Sequence, residues 1–176
     1  MRLFIAVKPD RNFLAALTGL QDSFRAAGVT GQYLDPANLH LTLAFVGQWE
    51  EDLTPLLPAV EEPFKLALGR PGIFPEADVL WAGLRPSGEL DALAARVREN
   101  LTKANVPFDP RPFYPHITLA RKPRLPEGFD LKEVCVPEAA AEVKEVCLYK
   151  SERGERGMVY TVIGTGGRPL AAGRGL

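Results

Sequence analysis

The chain holds only two histidines, and both stand in one tetrapeptide pattern: His40-Leu41-Thr42-Leu43 and His116-Ile117-Thr118-Leu119. With 8 threonines among 176 residues, chance would place one two positions after both histidines about once in 500. The flanks match as well, NLHLTLAF against YPHITLAR. This duplication constrains the fold more than any other feature, because it implies one strand used twice in two halves related by a pseudo-twofold. Side chains on a strand alternate between faces, so each histidine shares a face with its threonine and the aliphatic neighbours take the other. With the aliphatics anchored in a core, both His-Thr pairs turn into one space between the halves.

The rest of the pattern fits such halves. Arg2 to Val7 alternates as a strand, and Phe13, Leu14, Leu17, Leu20 and Phe24 follow at helical spacing up to Gly28. Residues 38–46 form the first motif strand, and Leu53, Leu56, Leu57 and Val60 suggest a short helix after it. Strands are expected at 64–68 and 79–84, separated by the loop-like GRPGIFP. Ser87 then caps a helix with Leu90, Leu93, Ala94, Val97 and Leu101 on one face. The second motif strand covers 115–121, and the proline-rich KPRLPEGF forms a loop. Strands at 141–150 and 158–164, joined by the charged turn SERGERG, complete the set, and the tail from 166 to 176 is expected to fray. Helices and strands alternate without a regular β-α-β period, so the expectation is an α+β fold with antiparallel or mixed sheets, the whole of 1–176 being one domain.

Composition removes several classes of function. A net charge of −1, from 21 basic against 22 acidic side chains, gives no general attraction for polyanions, so any nucleic-acid contact is local. No apolar run approaches the ~18 residues of a membrane span, and Met1 leads straight into RLFIAV without the parts of a secretory signal. A cytoplasmic protein with no membrane contact is expected, consistent with Cys135 and Cys147 lacking any CxxC or paired-ligand spacing. That same spacing argues against zinc held by the two histidines and two cysteines. Gly164-Thr165-Gly166-Gly167 is no phosphate loop, since no Lys-Ser/Thr pair follows it.

Two imidazoles and two hydroxyls around one space suit a phosphodiester. In-line displacement at phosphorus needs a base on the attacking oxygen and an acid on the departing one, on opposite sides. Histidine titrates near neutrality and serves either role. The threonine hydroxyls of Thr42 and Thr118 can donate to the non-bridging oxygens. No metal is required by this set.

These residues resemble the 2H phosphoesterase family, named for its paired HxTx motifs, and within it the RNA 2′,3′-cyclic phosphodiesterase branch, also called 2′-5′ RNA ligases. The likeness runs through RLFIAV, NLHLTLAFVG, FKLALGRPGIFP, VLWAGL, RPFYPHITLAR, LYKSE and MVYTV. It implies a bilobal α+β fold with a motif in each lobe, two pseudo-symmetric sheets lining a central groove, helices outside, and no cofactor. It also implies opening of a terminal 2′,3′-cyclic phosphate to a 2′-phosphate, on RNA 3′ ends or nucleoside 2′,3′-cyclic phosphates. A monomer is expected, although the sequence leaves the oligomeric state open. Carried over, His40 is the proton donor and His116 the acceptor, although the near-symmetry of the motifs leaves that order open. Tyr33 departs from the family pattern, where a tryptophan tends to precede the first motif.

Further contacts are more open. Arg121 could clamp a phosphate, yet five residues beyond His116 is the opposite face of a regular strand, so a bulge or strong twist is needed. Phe45, Phe113 and Tyr114 are candidates for stacking on a base, against the simpler reading that they pack. Arg111, Lys122 and Arg124 could join Arg121 on an RNA backbone or could simply be solvated. Two rival functions remain: a 2′-5′ RNA ligase joining tRNA halves with the same acid and base, and a non-catalytic binder of nucleotides or RNA ends.

Overall fold

The computed structural model describes residues 1–166, so residues 167–176 of the tail expected to fray lie outside the described part. In chain order the elements are β1 (Arg2–Val7), α1 (Arg11–Ala26), β2 (Thr30–Tyr33), β3 (Leu41–Gln48), β4 (Phe64–Phe74) and β5 (Val79–Leu84). Then follow α2 (Gly88–Lys103), β6 (His116–Arg124), β7 (Ala140–Val143), β8 (Cys147–Gly154) and β9 (Gly157–Thr165). The strands make a four-stranded sheet, β3-β1-β8-β9, and a five-stranded sheet, β2-β6-β5-β4-β7. Every pairing is antiparallel, which settles the choice between antiparallel and mixed sheets. The fold is a single-domain α+β fold in which each sheet carries one HxTx motif.

Both helices are set by local chemistry. Asp10 accepts from Phe13 N at 2.9 Å to cap α1, and Ser87 accepts from Leu90 N at 3.2 Å to cap α2. Each helix closes on a left-handed residue, Gly28 at φ 88 and Asn105 at φ 57. In both, the next amide reaches back to the last turn, Val29 N to Phe24 O and Val106 N to Leu101 O. The buried stripes Phe13, Leu17, Leu20, Phe24 and Leu90, Leu93, Val97, Leu101 join Leu3, Ile5, Leu41, Leu43, Ile117 and Leu119 in one core that spans both sheets.

The structure alters five sequence expectations. The first motif strand begins at Leu41 and not at residue 38, because Pro36–Asn38 form a 3-10 turn whose Ala37 N–H is capped by Asp35, and it runs on to Gln48. Residues 53–60 make only a 3-10 turn at Thr54–Leu56, because Pro58 has no N–H to continue the helix and holds Leu57 before it in extended backbone. GRPGIF is not a loop but the second part of β4, with a register shift between Leu68 and Pro71, and only Pro75 of the expected loop lies beyond the strand. That part has β5 on one side only, where a proline's missing N–H is tolerated. The expected strand 141–150 is two strands: β7 pairs with β4, and β8 pairs with β1 in the other sheet. The second motif strand runs on to Arg124, where β2, an element not expected, pairs with it.

Both motif strands bulge at the same place. On β3, Thr42 pairs with Ala6 and Ala44 with Ile5, leaving Leu43 as the extra residue. On β6, Thr118 pairs with Trp81 and Ala120 with Leu80, leaving Leu119 extra. Consequently Leu43 and Ala44, like Leu119 and Ala120, are consecutive residues both turned into the core. The bulge carbonyls are held from the helices. Gln21 of α1, itself buried, donates from Nε2 to Leu119 O at 3.0 Å, and Arg98 of α2 donates from Nε to Leu43 O at 3.1 Å.

Candidate active site

His40 immediately precedes β3 and His116 opens β6. Each ring is fixed in the same way, by a hydrogen bond from Nδ1 to the carbonyl two residues earlier: Asn38 O at 2.7 Å and Tyr114 O at 2.6 Å. A carbonyl only accepts, so the proton sits on Nδ1 and each neutral ring presents the Nε2 lone pair. This is the tautomer required of a base at Nε2, and the protonated ring offers Nε2–H as an acid. Each ring also stands among three aromatic side chains. His40 lies against Phe4 (4.6 Å), Tyr160 (5.2 Å, edge-on) and Tyr149 (5.9 Å), and His116 against Phe74 (4.9 Å, edge-on), Trp81 (6.3 Å) and Tyr114 (6.4 Å).

The aromatic walls set the electrostatics. Burial, first, and then the positive charges of His116 and Arg121 push His40 down to about 4, against the opposing hydrogen bond to Asn38. His116 is lowered too, chiefly by burial and then by Arg111, with its bond to Tyr114 opposing. Burial also pushes the Cys147 thiol up to about 11 and raises the Tyr149 phenol, so neither group brings a negative charge to the sheet beside His40 at neutral pH. Both imidazoles are therefore neutral in the empty site at pH 7, and His40 is the harder to protonate.

Arg121 is where its parity on a regular strand would not have put it. The bulge at Leu119 consumes one residue, so Ala120 faces the core and Arg121 returns to the side of His116 and Thr118. There its charge bears on His40 in the opposite motif. The matching bulge at Leu43 brings Phe45 to the side of His40 and Thr42, where it packs beside Phe4 with the Arg2 guanidinium 5.0 Å from its ring centroid. The two motifs thus bring one cation and one aromatic ring to equivalent positions.

A profile of the 2′-5′ RNA ligase superfamily matches residues 9–155. The chain belongs to this superfamily. Among its relatives, a protein of Archaeoglobus fulgidus named RNA 2′,3′-cyclic phosphodiesterase is 33% identical over 172 residues, covering 91% of this chain and 96% of its own. One of Thermus thermophilus with the same name is 34% identical over 201 residues, covering 99% and 97%. The crystal structure of Escherichia coli LigT complexed with 3′-AMP superposes with a TM-score of 0.75 at 26% identity, covering 93% of this chain and 95% of that one.

Around the two HxTx motifs, the remaining candidates separate. Tyr114 is 57% exposed beside His116 and free to meet a ligand. Phe113 instead packs against the core below Arg98, whose guanidinium is 5.8 Å from its ring centroid. Of the basic cluster, Arg111 is paired with Asp109 and Arg124 with Asp78. Tyr33 donates its hydroxyl to Val29 O at 2.8 Å and supports Arg25 over its ring, a role confined to its own lobe. Cys135 is exposed and Cys147 buried, both as free thiols. Among the described residues no group of three or more His, Cys, Asp or Glu side chains is placed to hold a metal, and no helix is long and apolar enough to cross a membrane. A cavity of about 940 Å³, lined in part by Arg70, Arg85 and Cys135, contains neither histidine.

Of the aromatic residues that wall the site, sequence reasoning singles out Tyr114 alone; it misses Phe4, Phe74, Trp81, Tyr149 and Tyr160 and the side chain of Asn38. The signal for Phe4 was present, since the alternation of RLFIAV puts it on the face of Ala6, which pairs with Thr42. Tyr149, Tyr160, Phe74 and Trp81 reach the histidines only through sheet pairing, which no local pattern encodes.

Proposed function

We propose that this chain is a metal-independent RNA 2′,3′-cyclic phosphodiesterase that opens terminal 2′,3′-cyclic phosphates to 2′-phosphates with His40 and His116 as acid and base. The observation that carries the reading is the matched fixation of the two rings, each with its proton on Nδ1 and Nε2 left for chemistry. The names of the Archaeoglobus and Thermus relatives support the substrate class.

In this reading the cyclic phosphate lies between the motifs, with the Thr42 and Thr118 hydroxyls and the Arg121 guanidinium on its non-bridging oxygens. His116 Nε2 takes a proton from water as its oxygen bonds to phosphorus. The bond from phosphorus to O3′ breaks, and His40 Nε2–H delivers a proton to that oxygen. Since both rings are neutral in the empty site, His40 takes its proton from solvent as the phosphate anion arrives, whose negative charge offsets the burial and the repulsion from His116 and Arg121 that depress it. Tyr114, on the exposed side of the site, and Phe45 are the candidates for base contact. The whole chain works as one monomeric unit, one motif from each sheet, in the cytoplasm and on RNA 3′ ends.

The test is incubation with nucleoside 2′,3′-cyclic phosphates in EDTA with the product isomer identified; a 3′-phosphate product or no turnover overturns the reading. The superfamily description favours one second reading, the joining of a cyclic phosphate end to a 5′-hydroxyl through a 2′-5′ bond. The same acid and base serve that direction, and comparing turnover of a cyclic nucleotide with that of nicked tRNA separates the two.

A further inference from the structure

Asn38 ends the 3-10 turn Pro36–Asn38 just before His40, and its main chain and side chain are both engaged. The carbonyl takes the His40 Nδ1–H at 2.7 Å. The carboxamide reaches β9, where Nδ2 donates to Met158 O at 2.7 Å and Oδ1 accepts from Tyr160 N at 3.4 Å. Those two groups flank Val159 on one strand, at the spacing with which an antiparallel neighbour would pair. One side-chain amide therefore takes the place of a neighbouring strand at this point. Tyr160, whose N–H is held, is the residue packed edge-on against the His40 ring.

The second motif does the same task differently. Tyr114, which supplies the carbonyl to His116, is held by edge-on ring contacts with Phe74 at 5.6 Å and Trp81 at 5.5 Å. Only the first motif ties its carbonyl to another strand through a polar side chain of the same residue.

We propose that Asn38 is the positioning residue of the first histidine. By gripping β9 it holds the carbonyl that keeps the proton on His40 Nδ1 and turns Nε2 to the groove, and with the same amide it sets Tyr160 against the ring. The inference rests on the two-histidine reading above. An amide suits the task because it offers a donor and an acceptor side by side; a carboxylate lacks the donor for Met158 O, and a methyl lacks both.

The experiment measures Asn38→Ala and Asn38→Asp in the native and His40→Ala backgrounds, on a nucleoside 2′,3′-cyclic phosphate. The imidazole tautomers of the two single variants and of the wild type are read by ¹⁵N NMR. Asn38→Ala is expected to lower kcat by about 10- to 100-fold with little change in KM, the range found when the outer partner that orients a metal-ligating histidine is lost. It should have no further effect once His40 is alanine. His40 should lose its uniform Nδ1–H tautomer while His116 keeps its own. If Asn38→Ala does not fold, Asn38→Asp carries the same tautomer test, since it keeps the acceptor for Tyr160 and loses the donor to Met158. Equal losses in the two backgrounds, or an unchanged His40 tautomer in the folded variants, overturn the inference. Undiminished turnover in His40→Ala would instead overturn the two-histidine reading, and the tautomers would still decide the place of Asn38.

Discussion

Leu43 and Leu119 are the unpaired residues of two bulges that fall at the same position, three residues after His40 and three after His116, and each offers its carbonyl to a side chain from a helix. The duplication therefore extends beyond sequence to an irregularity of the backbone and its support. The bulges decide what stands beside each His-Thr pair, Phe45 in one motif and Arg121 in the other.

The support can be tested directly. Gln21 is buried, and its Nε2 serves Leu34 O and Leu119 O at 3.0 Å each. Gln21→Leu leaves Leu34 O without that donor, while Leu119 O keeps only Leu34 N at 2.9 Å. Denaturant unfolding should show a loss of about 1–3 kcal/mol, the usual effect of depriving buried polar groups of a partner. A variant as stable as wild type would show that the bulge needs no support from α1.

For the histidines, His40→Ala and His116→Ala should each lower kcat by about 10² to 10⁴ with the fold retained. Circular dichroism and steady-state kinetics on a cyclic nucleotide check both halves of the statement. Turnover near wild type in either variant removes that histidine from the mechanism.

Arg121→Ala should weaken kcat/KM by about 10- to 100-fold, the worth of a hydrogen bond to a charged group. It should also raise the proton affinity of His40, because the Arg121 charge is one of the causes that depress it. An NMR titration of His40 in the variant measures this shift; a titration unchanged from wild type would mean that the guanidinium does not face the ring.

The pH dependence of kcat/KM reports the free protein, in which both histidines are lowered. A bell centred on the acid side of pH 6.5 is expected, with limbs that belong to the pair and not to one ring. His40→Ala should lose the alkaline limb and recover rate selectively with a better leaving group, whereas His116→Ala should lose the acid limb without such rescue. Rescue in His116→Ala would reverse the acid and base roles.

Stability follows the same groups. His40 has an ordinary value of 6.5 in the unfolded chain and about 4 when folded, so between these values the unfolded chain binds the proton and the native one does not. The stability associated with the neutral ring is complete above pH 6.5 and is lost as the pH falls to about 4. Its size is at most about 3 kcal/mol, and less for a ring that keeps some contact with water. Urea unfolding of wild type and His40→Gln between pH 4 and 7 should show a shallower slope in the variant.

What the sequence determined by itself was whatever short-range physics controls. The period-2 runs around His40 and His116, the aliphatic anchors Leu41 and Ile117, and the caps Asp10 and Ser87 act over a few residues, so the duplicated motif strands and both helices are legible in the order of the residues alone. Tertiary structure decided the rest because it depends on partners distant in sequence. Strand 141–150 divides because β4 and β1 compete for its two halves, and β2 exists because β6 continues past Arg121 to pair with it. The face taken by Arg121 follows from one extra residue in a ladder, which alternation along a single strand cannot register. The depressed proton affinity of His40 comes first from burial and then from the charges of His116 and Arg121, and the rings packed around it, Phe4, Tyr149 and Tyr160, stand on three strands that only the folded sheet brings together.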